Sequence, residues 1–69
     1  MDKDKADDHR ANYLGLCEEL MDRVAAMRNY GMKPGNAWLA KAELAKISSL
    51  VTDIEQLLEE IKQADGPRN

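Results

Sequence analysis

The chain has few of the residues that usually stabilise a small protein. It contains one cysteine and one histidine among 69 residues, too few for an intramolecular disulfide or for a zinc site of cysteine and histidine ligands. Phenylalanine is absent, and tryptophan occurs once. Because a chain this short buries only about 60% of its unfolded surface, we expect the fold to be completed by dimerisation or by a partner protein.

Other absences narrow the class of function. No apolar run approaches the roughly 18 residues that span a bilayer, and the N-terminal sequence MDKDKADDHR is charged, unlike a signal peptide. With a single, reduced Cys17, the chain is expected to be cytoplasmic and to have no membrane partner. No nucleophile with a base, no paired carboxylates and no glycine-rich phosphate loop are recognisable. We therefore expect no enzyme activity, cofactor, metal or small-molecule substrate.

The residues that are abundant indicate helices. Hydrophobic residues make up 43% and charged residues 33% of the chain, a composition typical of long amphipathic helices and coiled coils. Glycine, proline and asparagine cluster in one stretch, NYGMKPGNAW, at residues 29–38. There Gly31 suits the position after a helix, where φ is positive, and Pro34 prevents the helix from resuming.

The pattern predicts a single all-α domain over residues 1–69, an antiparallel two-helix hairpin with coiled-coil-like packing. We expect helix 1 at about 6–30, a turn at 31–36 and helix 2 at about 37–64, with frayed termini. Asn36 is a suitable N-cap residue for helix 2, and Gly66 with Pro67 should end it. Gly15 costs about 1 kcal/mol relative to alanine within a helix, which predicts that helix 1 begins near it or that another backbone approaches it closely.

Apolar residues recur at alternating spacings of three and four in both helices, which places them on one face. In helix 1 this row consists of Tyr13, Cys17, Leu20, Val24 and Met27. In helix 2 it consists of Leu44, Ile47, Val51, Ile54, Leu58 and Ile61. We predict that these two rows form the core of the hairpin.

A second apolar row flanks the first in each helix and predicts a binding surface. It contains Leu14 and Met21 in helix 1, and Leu50 and Leu57 in helix 2. A two-helix seam needs only two apolar positions per heptad, whereas burial of each leucine or methionine contributes roughly 1.5–3 kcal/mol. We expect this row to be covered by a second copy, giving a four-helix bundle, or by a different protein.

Two aromatic residues frame the bend. Tyr30 is expected to pack over the end of the hairpin. Trp38 has two open interpretations: it covers the bend, or it anchors a partner, because tryptophan is enriched at interface hot spots.

Charge is unevenly distributed along the hairpin. Residues 23–46 contain five cations and one anion, a net charge of +4, so the rest of the chain must carry −7 to give the total of −3. The cations nearest the bend form a basic tip: Arg28, Lys33 and Lys41. An alternative function is therefore a dimeric four-helix-bundle regulator, of phage or plasmid type, that binds RNA or a regulatory protein through this tip. The acidic remainder of the hairpin and the absence of a recognised motif argue against nucleic acid as the partner.

The layout resembles a known family. Two helices, a turn with glycine and proline near the middle, an aromatic residue early in helix 2 and the run LAKAELAKISSLVTDIEQLL are similar to the small co-chaperones of type III secretion needle subunits. The resemblance covers residues 13–61. It implies that the hairpin joins a larger helical-repeat chaperone to keep the needle subunit soluble in the cytoplasm, with Leu50 and Leu57 as contacts.

The turn KPGNAWLAKAELAKI also resembles the bend of needle subunits themselves, although the chain beyond the turn is short for one. The residues and the resemblance together favour a protein-binding hairpin, either a small cytoplasmic chaperone subunit or an adaptor. Its partner is expected to be a larger chaperone, a secreted subunit or a second copy.

Overall fold

The computed structural model describes the backbone of residues 2–66 and the side chains of residues 7–66. Helix α1 spans Asp2–Met32 and helix α2 spans Ala37–Asp65. They run in opposite directions, since Arg10 near the start of α1 contacts Asp65 at the end of α2. The predicted all-α antiparallel hairpin is confirmed. The predicted fraying of the extreme termini and the stop at Pro67 concern residues outside the described part.

The bend differs from the prediction because Gly31 does not end α1. Helix α1 continues to Met32, and Gly35, with φ of 82°, is the glycine in the left-handed region. The last turn closes with a tight hydrogen bond in which the Lys33 N–H donates to the Tyr30 carbonyl at 3.1 Å. A glycine inside a helix costs only about 1 kcal/mol, and Pro34 is the stronger barrier because its ring excludes helix continuation.

Helix α2 begins and ends close to the predicted positions. Asn36 occupies the N-cap position, but its side chain makes no capping hydrogen bond. Its carbonyl instead accepts hydrogen bonds from the N–H groups of Leu39 and Ala40, at 3.0 and 3.2 Å. At the other end, Gly66 adopts φ of 85° and its N–H donates to the Gln63 carbonyl. With ψ of 166°, Gly66 has left the helical region, and its positive φ suits glycine because it has no side chain.

Gly15 lies well inside α1, so the prediction that the helix begins near it is wrong. Close backbone approach is also wrong, because a Cβ atom added at Gly15 would meet nothing within 4 Å. The helix tolerates this glycine because its contacts with α2 come from flanking residues. By contrast, a Cβ added at Gly31 would lie 3.8 Å from the Cβ of Ala40, an ordinary contact.

The helices meet along a seam with heptad spacing. On α1, half-buried side chains recur at His9, Tyr13, Leu16, Leu20, Arg23, Met27 and Tyr30. On α2, buried or half-buried side chains recur at Glu43, Ile47, Leu50, Ile54, Leu57, Ile61 and Ala64. Only Ile47, Leu50 and Ile61 are buried among the described residues. The seam is therefore a single thin layer rather than a closed core.

The predicted rows share part of this seam. Tyr13, Leu20 and Met27 on α1 and Ile47, Ile54 and Ile61 on α2 lie in it. Leu44, Val51 and Leu58 were predicted to pack against α1 but are exposed, whereas Leu50 and Leu57 were predicted to face outward but lie in the seam.

Helix α1 shows the corresponding shift. Leu16 and Arg23 lie in the seam, Val24 is exposed, and Cys17 is half-buried at the edge. In each helix, the residues shared by the predicted row and the seam form a heptad pattern with the apolar residues on one side of them, and an equally good one with the residues on the other side. Periodicity alone favoured the side that has no charged residue. The structure uses the other side, which includes one charged residue in each helix.

The hairpin is extended, with principal dimensions of 51 × 18 × 16 Å. Its radius of gyration is 15.8 Å, whereas a compact domain of this length has roughly 11 Å. It exposes 5481 Å², compared with roughly 4,400 Å² for a compact monomer of the same mass. The chain thus exposes more surface than its size requires.

Candidate protein-binding surface

One side of the hairpin carries most of its exposed large apolar side chains. This apolar face consists of Leu14, Met21 and Val24 on α1 and Leu44, Val51 and Leu58 on α2. Their exposed fractions range from 38% to 64%. Six side chains at this exposure present on the order of 500 Å² of apolar surface, near the upper limit for a monomeric protein. Such a patch is typical of a site of association.

Helix geometry places the two halves of the apolar face on the same side. Going forward from the seam residue Tyr13, Leu14 and Cys17 lie clockwise around α1 at about 100° per residue. Going forward from Ile47, Val51 lies in the same rotational sense around α2. When two antiparallel helices pack against each other, residues that are displaced from the seam in the same rotational sense lie on the same side of the hairpin. A shallow hollow beside Met21, Val24 and Ala25 lies on this side of α1.

The opposite side, here called the polar face, exposes hydrophilic groups. One open groove runs between Asn12 and Gly15 on α1 and Asp53 and Gln56 on α2. A second groove lies between Glu19 on α1 and residues 46–53 on α2. Because each groove is lined from both helices, these residues share one side of the seam. The hairpin as a whole is therefore amphipathic across its width.

An ion pair lies at the seam. The Arg23 guanidinium donates to the Glu43 carboxylate at 3.4 Å and to Glu19 at 3.3 Å. The Glu43 side chain is 13% exposed and that of Arg23 is 34% exposed. Lys46 adds a contact to Glu43 at 3.5 Å. A partly buried carboxylate needs such partners, so this edge of each helix can face the other without leaving the Glu43 charge unpaired.

The ends of α1 and α2 remote from the bend are also joined by charge. The Arg10 guanidinium donates to the Asp65 carboxylate at 2.6 Å, and the imidazole of His9 lies 3.8 Å from Glu60. His9 is half-buried against α2. These contacts hold the acidic end of the hairpin closed.

Tyr13 and Cys17 interact at the edge of the apolar face. A hydrogen bond with Cys17 raises the pKa of Tyr13 above its ordinary value, and the electrostatic interaction with the same residue and burial add to it. Cys17 is half-buried and makes no disulfide. Tyr13 and Cys17 therefore act here as packing residues beside the apolar face.

The two aromatic residues at the bend have different environments. Tyr30 is half-buried and lies at the end of the seam. Trp38 is 68% exposed, so it does not cover the bend. It lies about 120° around α2 from Leu44, away from the apolar face. Most of the Trp38 side chain is therefore available at the outer surface, as the second interpretation requires.

The basic tip is exposed. Arg28, Lys33 and Lys41 lie on the surface near the bend, and none of them makes an ion pair with the residues that the structure describes. Arg28 and Lys41 also border the apolar face at its end nearest the bend. The cations are thus available to an anionic ligand or partner.

Of the predicted contact residues, Leu14, Met21 and Trp38 are exposed, whereas Leu50 is buried and Leu57 is half-buried beside the groove of the polar face. The sequence prediction missed Val24, Leu44, Val51 and Leu58 as surface residues. A signal existed in the opposite charges of Arg23 and Glu43, which occupy equivalent seam positions in the two helices. Pairing them in space requires knowledge of how the helices meet.

Two further properties concern the described residues. Neither helix includes a segment with the length and apolar character needed to cross a bilayer. In residues 7–66, no three histidine, cysteine or acidic side chains cluster in a way suited to a metal ion. Comparison of the chain with models of protein families, with curated proteins and with solved structures finds no match.

Proposed function

We propose that this chain is a protein-binding helical hairpin that acts through its apolar face. The observation that carries the proposal is the contiguous set of exposed apolar side chains beside a thin seam. Covering them removes apolar surface from water at roughly 25 cal/mol per Å². The function we propose is binding alone, without catalysis, a cofactor or a small-molecule substrate.

The biological use that we propose is that of a small chaperone subunit or adaptor in the cytoplasm. Its support is the resemblance of residues 13–61 to the co-chaperones of type III secretion needle subunits and the single cysteine, which suits a reducing compartment. In this proposal the contacts of α2 are Leu44, Val51 and Leu58, because these are exposed, whereas Leu50 is buried and Leu57 is half-buried in the seam.

Site-specific photo-crosslinking in cells of the natural source tests protein binding directly. A benzophenone amino acid replaces Met21 on the apolar face, and the matched control replaces the exposed Ser49 on the polar face. We expect protein adducts from position 21 and few from position 49. Equal yields from both positions, or none from either, would contradict the proposal. The adduct mass distinguishes a second copy from another protein.

The co-chaperone use has a separate test. The chain is co-expressed with the needle subunit and the helical-repeat chaperone of a secretion system from the same source. We expect a complex that Leu58→Asp disrupts and Ser49→Asp does not. If the wild-type chain fails to co-purify, the co-chaperone role is wrong, while protein binding through the apolar face still stands on the crosslinking result.

RNA binding is a second candidate function, and the exposed basic tip favours it. Phosphate contacts from a few cations give binding that weakens steeply with salt. If the tip binds RNA, a gel shift at low salt is expected, and Lys33→Glu combined with Lys41→Glu should remove it. Absence of a shift with the wild-type chain at low salt would end this candidate.

A further inference from the structure

The area and shape of the apolar face match a second helical hairpin. The chain exposes 5481 Å², about 1,000 Å² more than a compact monomer of its mass. A standard protein interface buries about 800 Å² on each partner. Covering the apolar face with two more helices would give a four-helix bundle, in which each chain loses a comparable area.

Five of the six residues of the apolar face are placed symmetrically along the helices. Leu14 and Met21 lie equally far from a point between residues 17 and 18, and Leu44 and Leu58 lie seven residues on either side of Val51. These two centres are at nearly the same height along the hairpin. The sum of 17.5 and 51 is 68.5, and the contact between His9 and Glu60 pairs residues whose numbers add to 69. Reversing the hairpin end for end therefore brings these five positions back onto apolar positions and places Val24 at the height of Ala11.

This symmetry has a consequence for a reversed second copy. With the twofold axis passing through the centres, Leu14 of one copy lies over Met21 of the other, and Leu44 lies at the height of Leu58. A twofold interface uses the same surface patch on both copies, so the apolar face is self-complementary in this orientation.

Charge favours the same orientation. Residues 23–46, at the end with the bend, carry a net +4, and the rest of the chain carries −7. Arg28 and Lys41 border the apolar face at the first end, and Asp7, Glu55 and Lys62 border it toward the other. A copy packed bend to bend would bring like charges together, whereas a reversed copy brings cations over carboxylates.

Individual positions agree with this arrangement on α1. Arg28 and Asp7 are equally distant from the centre of α1, so a reversed copy places them at the same height. On α2, Lys41 lies ten residues before Val51, and Lys62, three heptads further along on the same face, lies eleven after it. This pair of like charges opposes the reversed orientation locally, whereas the net charges of the two ends favour it.

From these observations we propose that the occupant of the apolar face is a second copy of this chain. The two copies pack in reversed orientation about a twofold axis and form an antiparallel four-helix bundle. The inference rests on the proposed function, protein binding through the apolar face, and identifies the partner.

The first test is the mass of the wild-type chain by sedimentation equilibrium over a range of concentrations. We expect a dimer, a shift to monomer in Leu44→Glu with Leu58→Glu, and no shift in the polar-face control Ser49→Glu. A wild-type monomer at all concentrations overturns the proposed dimer. The proposed function would then stand if position 21 crosslinks to a different protein, and would fail if it crosslinks to none.

The second test measures orientation and does not depend on disrupting the apolar face. A spin label is attached at Met32→Cys in a Cys17→Ser background, since Met32 is 79% exposed beside the bend. The reversed dimer should place the two labels roughly 45 Å apart, from about 1.5 Å of rise per residue. Packing bend to bend should place them within roughly 20 Å, about two interhelix spacings, and that distance would overturn the reversed orientation.

The third test uses charge reversal at exposed positions, where the fold of the hairpin is preserved. Arg28→Glu should weaken the dimer about tenfold at low salt, because the cation facing Asp7 of the other copy is replaced by a like charge. Adding Asp7→Arg to the same chain should restore association. If the first variant dimerises more tightly than the wild type, the bend-to-bend orientation is correct and the proposal is wrong. Circular dichroism confirms that each variant remains helical.

Discussion

On one side of the seam the hairpin exposes leucine, methionine and valine, whereas on the other it exposes asparagine, serine, lysine and acidic residues. Both sides flank the same shared rows, Tyr13 with Leu20 and Met27 on α1 and Ile47 with Ile54 and Ile61 on α2. The seam uses the edge next to the polar face and leaves the apolar edge uncovered.

This difference indicates two separate roles for apolar residues in a small helical protein. Leucines beside the polar face hold the two helices of one chain together. Those on the apolar face contribute little to the stability of the isolated hairpin, but they would stabilise a complex in which another surface covers them. Adjacent residues in α2, such as Leu50 and Val51, therefore allow the two roles to be separated by mutation.

The largest expected effect comes from that adjacent pair. Leu50 is buried, so Leu50→Ala should destabilise the hairpin by about 2–3 kcal/mol, from lost burial and the cavity left behind. Val51 is exposed, so Val51→Ala should change the free energy of unfolding of the monomer by less than about 0.5 kcal/mol. Urea titration followed by circular dichroism, at a concentration where unfolding is independent of concentration, measures both. Equal losses would show that the seam assignment is wrong.

The ion pair in the seam gives the next largest effect. Arg23→Leu leaves the Glu43 carboxylate, which is 13% exposed, with a weaker set of partners, and we expect a loss of about 1–2 kcal/mol. Replacing both residues by leucine should recover this loss or exceed wild-type stability, because apolar residues often replace ion pairs at no cost. The same urea titrations measure these variants.

The control for this double substitution is Val24→Leu, which adds a leucine at a neighbouring position on the exposed apolar face. It should leave the free energy of unfolding of the monomer unchanged. If the double leucine variant is less stable than Arg23→Leu alone, Arg23 and Glu43 do not share a packed seam position.

Two glycines provide a comparison of about 1 kcal/mol in opposite directions. Gly15→Ala should stabilise the chain by about 0.5–1 kcal/mol, because alanine is the better helix former and its Cβ would meet nothing within 4 Å. Gly35→Ala should destabilise it by about 1 kcal/mol, because φ there is 82° and L-residues pay for that conformation. Thermal unfolding measures the two shifts. A destabilising Gly15→Ala would mean that something packs against the polar groove.

The smallest effect is expected at the end remote from the bend. Arg10→Ala removes the contact with Asp65. The Arg10 side chain is 50% exposed and the Asp65 side chain is 37% exposed. Exposed pairs contribute about 0.2–1 kcal/mol and are screened by salt. The expected loss should therefore shrink when unfolding is measured at about 1 M salt, where the Debye length is roughly 3 Å. A loss that is unchanged by salt would indicate packing by the arginine stem instead.

Much of the fold follows from local chemistry in the sequence. The period of apolar residues specifies two amphipathic helices, and Pro34 with its neighbouring glycines specifies one bend. Position within the bend was harder to predict, since Gly31 and Gly35 both suit a helix end and only one adopts positive φ.

The candidate site was predictable only in part. Leu14 and Met21 lie too far from the seam row to face α2 under either choice, so their exposure follows from the sequence. Leu44, Val51 and Leu58 would pack against α1 in the predicted arrangement of the helices, but they are exposed in the observed one. The two arrangements bury nearly equal numbers of apolar residues, so the apolar pattern does not distinguish between them.

The sequence by itself determined that the chain forms two helices, that their apolar stripes are wider than one seam, and that charge is segregated toward opposite ends. These properties depend on residues close together along the chain, where helix periodicity and turn chemistry act. Only the tertiary structure decided which edge of each stripe faces the other helix. That choice involves contacts such as the one between Arg23 and Glu43 across the seam, residues 20 positions apart that meet only once the two helices have packed.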